Sequence, residues 1–302
     1  MTDVFIVGCG YVGFRVAQKV NARGQRVAAL ARSSASRARL QSAGIQSVAG
    51  DLDKPDSLSE LPTQNTVLYY FAPPPSQGVT DPRLATLLAA LPTSQWPQKM
   101  VLISTTGVYG DCEGAWIDES QPVNPQADRA KRRLNAESIL QQWCSQRQIP
   151  AVILRVPGIY GPERLPIKRL QQGLPVLEGS ISPFSNRIYV DDLVRACLAG
   201  DGFIKNRSYS TEIYNISDGH PTTMTDYFNQ VADALGLSRP PQIDWAAAQT
   251  ILSPEMRSYL AESKRLDNRK MREQLGIVPE YPDLATGLAH CKHQQLINND
   301  FS

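Results

Sequence analysis

Val4-Phe5-Ile6-Val7-Gly8-Cys9-Gly10-Tyr11-Val12-Gly13 is the stretch on which the fold is decided. The apolar run ending in glycine reads as a buried strand over Asp3 to Cys9. Behind it, Tyr11 to Arg23 has helical spacing, with Val12, Val16 and Val20 four apart, and Gly24 stands as its C-cap. Gly8, Gly10 and Gly13 therefore form a Gly-x-Gly-x-x-Gly turn between a strand and a helix. In that setting Gly8 permits a tight turn, Gly10 lets a pyrophosphate approach the backbone, and Gly13 lets helix and strand pack closely. Tyr11 and Val12 open the helix, whose free N–H groups favour phosphate. The alternative is a glycine-rich turn that holds no ligand.

Outward from this turn, strands and helices alternate. Strands are expected at Arg26 to Leu30, Ile45 to Ala49, Thr66 to Phe71, Met100 to Ser104 and Ala151 to Val156. Helices are expected at Ser34 to Ala43, Pro82 to Leu91 and Ala127 to Arg147. This order predicts an α/β fold, a doubly wound parallel sheet of the Rossmann type. After Val156 five prolines, Pro157 to Pro183, break the chain into short pieces. Arg187 to Val190 and Glu212 to Ile216 read as late strands returning to the sheet or its edge. Helices near Thr222–Leu235, Lys264–Leu275 and Asp283–Lys292 would belong to a smaller lobe. The expected division is a dinucleotide-binding domain over 1–156, rejoined by 187–217, and a substrate-binding lobe of 157–186 and 218–302.

The end of the second strand bears on the cofactor. An NAD site of this type places Asp or Glu there to hold the ribose hydroxyls. Here Ala31 is followed by Arg32, Ser33 and Ser34, with no acid. Arg32 suits a 2′-phosphate and Ser33 can donate hydrogen bonds to it, with Arg37 one turn later. That chemistry favours NADP over NAD; the alternative is a surface loop with a stray arginine.

Taken together, these features resemble the extended and atypical short-chain dehydrogenase/reductase superfamily, which contains sugar-nucleotide epimerases and dehydratases. Further segments carry the resemblance. Gly50-Asp51-Leu52 resembles the segment at the adenine, which implies roles for Asp51 and Leu52. Tyr70-Phe71-Ala72-Pro73 resembles the segment beneath the ribose and phosphates, implying Phe71, Ala72 and Pro73. Leu102 to Gly110 resembles the active-site strand, with the catalytic hydroxyl on Thr105. Arg155 to Pro162 resembles the loop near the nicotinamide, implying Pro157. Asn186 to Asp192 resembles the substrate-site junction.

The chain departs from the pattern in two places. Its glycine spacing is not the Gly-x-x-Gly-x-x-Gly of extended members. The Tyr-x-x-x-Lys motif maps onto Ala127-Asp128-Arg129-Ala130-Lys131, so the lysine place is filled and the tyrosine place is alanine. The tyrosine exchanges the carbinol proton as hydride moves, and alanine does not. Lys131 would hold the nicotinamide ribose, or it lies on a solvated helix face. Tyr109, Tyr160 and Tyr189 are either replacement acids or packing tyrosines. Tyr109 and Arg187 are the expected substrate contacts. Arg187 would clamp an anionic group such as a diphosphate, or form an ion pair with Asp191 or Asp192.

The implied function is that of an NADP-dependent oxidoreductase or epimerase/dehydratase acting on a sugar nucleotide or other carbonyl compound. A non-catalytic NADP(H)-binding sensor or scaffold is the alternative. Composition narrows the field further. The 302 residues are 42% hydrophobic, enough for a substantial core. The formal net charge of +2 excludes a polyanion binder held by net charge alone. Residues 1–50 nonetheless hold seven basic residues against Asp3, an excess of +6. No basic helix with interleaved aromatics suggests nucleic-acid readout, and no apolar run reaches membrane-spanning length. The opening residues lack signal-peptide character. The five cysteines are scattered, with no Cys-x-x-Cys, so neither a disulfide framework nor a metal site is expected. His290-Cys291-Lys292-His293 is too sparse a ligand set for one. These readings point to a cytoplasmic protein, and the resemblance makes a homodimer plausible.

Overall fold

The computed structural model describes residues 3–202 and 210–300, with side chains over 3–200 and 210–294. β1 (Val4–Val7) is buried throughout and runs into the glycine turn. α1 (Tyr11–Ala22) returns over the sheet, burying Val12, Val16, Ala17 and Val20. Each buried valine contributes roughly 1.5–3 kcal/mol. β2 (Val27–Ala31), α2 (Ser34–Ser42), β3 (Gln46–Ala49), β4 (Val67–Tyr70), α3 (Pro82–Ala89) and β5 (Lys99–Thr105) follow. α4 (Asp128–Arg147) then leads to the strand Ala151–Val156.

The seven-stranded sheet is parallel. Its order is Thr211–Asn215, Ala151–Val156, β5, β4, β1, β2, β3. This is a Rossmann-type α/β fold. β1 sits between β2 and β4 in matched register, Val4 opposite both Val27 and Val67. Strand order reverses there, so the crevice at the carboxyl ends opens beside the glycine turn. Two clusters of buried apolar side chains, one on each face, cover the sheet.

Past Val156 the structure departs from expectation in two places. Thr211–Asn215 joins the sheet edge, but Arg187–Tyr189 forms a separate parallel pair with Gly158–Tyr160. The expected helix at Lys264–Leu275 is instead a strand, Arg265–Leu266, followed by a helix, Arg269–Gln274. The strand pairs with Trp116–Ile117, and the Asn268 amide donates to the Ser217 carbonyl at 2.8 Å, so tertiary partners override local propensity. The division expected from sequence runs through residues 203–209 and 301–302, which lie outside the described residues. Among the described residues, no helix is long and apolar enough to cross a membrane.

One buried ion pair ties α4 to the sheet. Arg155 donates to Glu137 through Nη2 at 2.7 Å and Nε at 3.2 Å, and Ser104 Oγ donates to the same carboxylate. The two charged side chains are 5% and 1% exposed. Arg155→Met should therefore lose on the order of 3–5 kcal/mol in urea denaturation, because Glu137 is left uncompensated. The double variant Arg155→Met, Glu137→Leu should recover most of that loss.

Candidate functional site

The glycine turn is built by close approach. Gly8 has φ +96, and a β-carbon there would lie 2.3 Å from the Ala72 amide nitrogen. One on Gly13 would lie 2.6 Å from the Gly8 carbonyl oxygen. Gly10 differs: a β-carbon there meets nothing within 4 Å. The space in front of Gly10 is open, as a backbone-hugging phosphate requires.

That space belongs to a cavity of about 660 Å³. Gly8, Gly10, Tyr11, Val12, Gly13, Arg32, Ser33, Phe71 and Pro73 line it, as expected from sequence. So do Ser36, Arg39, Arg133 and Arg164, which the sequence reading missed. Arg37 does not; Ser36, Arg39 and Leu40 share the inward helix face from which residue 37 turns away. Ser33 caps α2, its Oγ accepting from the Ser36 N–H at 3.1 Å. None of the described lining residues carries a carboxylate. Among the described residues neither Arg32 nor Arg39 forms an ion pair. The Arg39 guanidinium lies 4.0 Å over the Phe14 ring. Tyr11 Oη donates to the Pro162 carbonyl at 2.7 Å, and Arg164 lies 4.7 Å over the Tyr11 ring, fastening the turn to the loop after Tyr160.

A second cavity, of about 790 Å³, shares Pro73, Arg133, Ile159 and Arg164 with the first. Thr105, Pro157 and Arg187 line it. Thr105 Oγ1 accepts from the Gly107 N–H at 3.2 Å, leaving its own hydrogen to donate. Arg187 is 8% exposed. It donates to the Asn186 carbonyl and to Met224 Sδ and lies 4.1 Å over the Tyr227 ring. It makes no ion pair among the described residues; Asp192 pairs instead with Arg195 at 2.7 Å. Burial works against its charge and lowers its pKa.

Other expected site residues lie elsewhere. Asp51 and Leu52 line neither cavity. The Asp51 N–H donates to Ser57 Oγ, and Leu52 packs on the core. Ala72 is buried, its carbonyl accepting from Arg133 at 3.2 Å. Tyr109 is buried and donates to Asn215 Oδ1 at 2.7 Å. Tyr160 donates to the Asp283 carbonyl, and Tyr189 is buried against Tyr160, Tyr281 and His290. His290 accepts or donates at Tyr281 Oη, 3.0 Å away, so it packs rather than standing in solvent. Ala127 is the N-cap of α4. Lys131 lies on the solvated side, 3.5 Å from Asp128, outside both cavities. The reason is helical phase: at 100° per residue, position 131 is turned about 200° from 129, while 133 comes back within about 40°. Arg129 and Arg133 are the pair four apart that faces the cleft. Their signal in sequence is the spacing Arg129-x-x-x-Arg133-x-x-x-Glu137, which shares one stripe with the buried Glu137.

Residues 4–217 match the NAD dependent epimerase/dehydratase family. Human dTDP-D-glucose 4,6-dehydratase is 31% identical over 127 residues, 39% of this chain and 35% of that protein. The match thus spans about a third of that relative's length. Among solved structures, a functionally unknown conserved protein from Silicibacter pomeroyi superposes with a TM-score of 0.79 at 27% identity, over 98% of this chain and 99% of that one. UDP-glucuronic acid 4-epimerase from Bacillus cereus, solved with NAD, has a TM-score of 0.74 at 20% identity, over 97% and 99% of the two chains, a likeness of fold.

Behind Arg187 stands one buried carboxyl. Asp218 is 4% exposed and accepts from the His220 N–H, while Oδ2 has no hydrogen-bond partner. Burial pushes it from 3.8 to about 7. Between those values the folded chain holds a proton that the unfolded chain has released. This carboxyl therefore makes stability fall as pH rises through that window, by at most about 1.4 kcal/mol per pH unit. Asp218→Asn should flatten the fall in stability between about pH 4 and pH 7 in chemical denaturation. An unchanged pH slope in the variant would remove Asp218 from this role.

Proposed function

The chain belongs to the NAD dependent epimerase/dehydratase family, and on that premise we propose that it is an oxidoreductase of this type that prefers NADP(H). The observation that carries this reading is the carboxylate-free, guanidinium-rich cavity at the glycine turn. Gly10 and the N-terminus of α1 would take the pyrophosphate. Arg32, Arg39, Ser33 and Ser36 would take the 2′-phosphate, since forked guanidinium donors pair with phosphate oxygens. Phe71, Pro73 and Ile103 supply apolar wall. When bound, the cofactor supplies hydride exchange at its nicotinamide. Thr105 donates a hydrogen bond to a substrate oxygen in the second cavity. Residues 73–75 and 157–159 enclose that cavity, and Arg187 orients an anionic part of a small substrate, a sugar nucleotide or other carbonyl compound.

A second reading rests on a different observation. None of Ala127, Lys131, Tyr109, Tyr160 and Tyr189 brings a proton-transferring group to the cleft. Without another acid the protein would bind NADP(H) as a sensor or scaffold. Consumption of NADPH across a panel of carbonyl compounds and nucleotide sugars separates the two, because a sensor consumes none.

NADPH should bind more tightly than NADH in calorimetric titration. Arg32→Ala and Arg39→Ala should each narrow the gap by on the order of 1.5–3 kcal/mol, as for a lost hydrogen bond to a charged group. Equal affinity of the wild type for the two cofactors would overturn the NADP reading. Gly10→Val should fold, as shown by circular dichroism, because a β-carbon there has room. It should bind neither cofactor, because the branched side chain occupies the phosphate's place. Retained affinity would mean that the ligand does not cross this turn.

A further inference from the structure

The second cavity carries an unusual charge balance. Arg129, Arg132, Arg133, Arg164, Arg187 and Lys264 line it against a single acid, Glu262. Glu262 is already engaged, 2.8 Å from Lys264 and 3.8 Å from Arg129. Arg187 is buried with no ion-pair partner among the described residues, held from below by a backbone carbonyl, a thioether and an aromatic face. Burying a guanidinium unpaired is costly, and the fold spends a glycine on it: a β-carbon on Gly158 would lie 2.4 Å from Arg187 Nη1. Arg129 is similarly fixed, lying 3.8 Å over the Tyr259 ring and donating to Ser258 Oγ at 2.6 Å. Arg129 and Arg133 are also the i, i+4 pair of α4 that reaches the cleft, the spacing at which the resembled superfamily carries tyrosine and lysine.

We infer that the second cavity is an anion receptor, in which Arg129, Arg133 and Arg187 pair with the carboxylate or phosphate groups of a small organic anion beside Thr105. This deepens the oxidoreductase reading and rests on it for the role of the bound anion as substrate. Guanidinium does not titrate in the working pH range, so these residues bind and orient; they do not exchange the proton. Forked donors on rigid seats select planar carboxylate or tetrahedral phosphate oxygens over neutral hydroxyls. Tyr227, Met224 and Phe184 add an apolar wall for the body of the ligand. A neutral alcohol or ketone would leave the buried Arg187 without an ion-pair partner, and is disfavoured for that reason.

The test is calorimetric titration of inorganic pyrophosphate and of citrate into the Gly10→Val protein, in which the first cavity is blocked. The same titrations into wild type saturated with NADP+ give a second background. At least one anion should bind, and the preferred one assigns phosphate or carboxylate chemistry. Arg187→Gln and Arg129→Gln should each weaken that binding about tenfold or more. NADPH affinity of the two arginine variants in an otherwise wild-type chain should not change, because neither residue lines the first cavity. Arg129→Gln reads the outcome if Arg187→Gln fails to fold. Absence of binding by both anions, or equal binding in the arginine variants, would overturn the receptor. Failure of NADPH to bind wild type would overturn the cofactor reading alone, since the Gly10→Val titrations do not depend on it.

Discussion

The carboxylate of Glu137, buried between Ser104 and Arg155, sets the rotation of α4. Ser104 belongs to β5 and Arg155 to the neighbouring strand of the sheet, so three hydrogen bonds fix one residue of the helix against two strands. With Glu137 held inward, positions 133 and 129 are carried to the same stripe further toward the carboxyl ends of the strands. Positions 127 and 131 fall outside it. A helix of 20 residues held only by aliphatic contacts could settle at neighbouring phases with little loss. A buried charge pair has one acceptable geometry, because any slip leaves an uncompensated charge.

A second constraint, steric rather than electrostatic, supplies the other wall of the cleft. Gly8 packs against the backbone of Ala72, and Gly13 against the Gly8 carbonyl, so β1, β4 and α1 meet with almost no side chain between them. This contact also places the Ala72 carbonyl where Arg133 donates to it. The glycine turn and the arginine of α4 thus meet at the backbone of one residue, Ala72. The two cavities share a wall at that point, where Pro73, Arg133, Ile159 and Arg164 line both.

Much of this was legible in the sequence. The central strands follow from apolar runs, and α1 from valines four apart, because local pattern and tertiary burial agree there. The glycine turn and Arg32 stand out for the same reason: few residue types satisfy those positions. The pieces after Val156 were not legible, since two-residue strands such as Val176–Leu177 or Arg265–Leu266 exist only through partners distant in the chain. Arg187 showed its candidacy by position, but that Asp192 pairs with Arg195 instead was not legible. The phase of α4 was not legible, because Lys131 fills the lysine place of a motif whose tyrosine place, residue 127, is alanine. The periodicity that matters runs through Glu137, whose burial no local signal announces.

Charge follows the same logic. The chain is nearly neutral overall, and many of its arginines are spent in exposed pairs: Arg26 with Asp3, Arg239 with Asp233, Arg269 with Asp267. Such pairs contribute little to stability, but they neutralise the outer surface. Five guanidinium groups with no ion pair among the described residues, Arg32, Arg39, Arg133, Arg164 and Arg187, line the two adjoining cavities beside the glycine turn. A concave wall of low polarisability focuses the field of such groups toward its mouth. Such a field would favour a phosphate-bearing ligand along these walls, and the open backbone at Gly10 is the point at which its closest approach would be allowed.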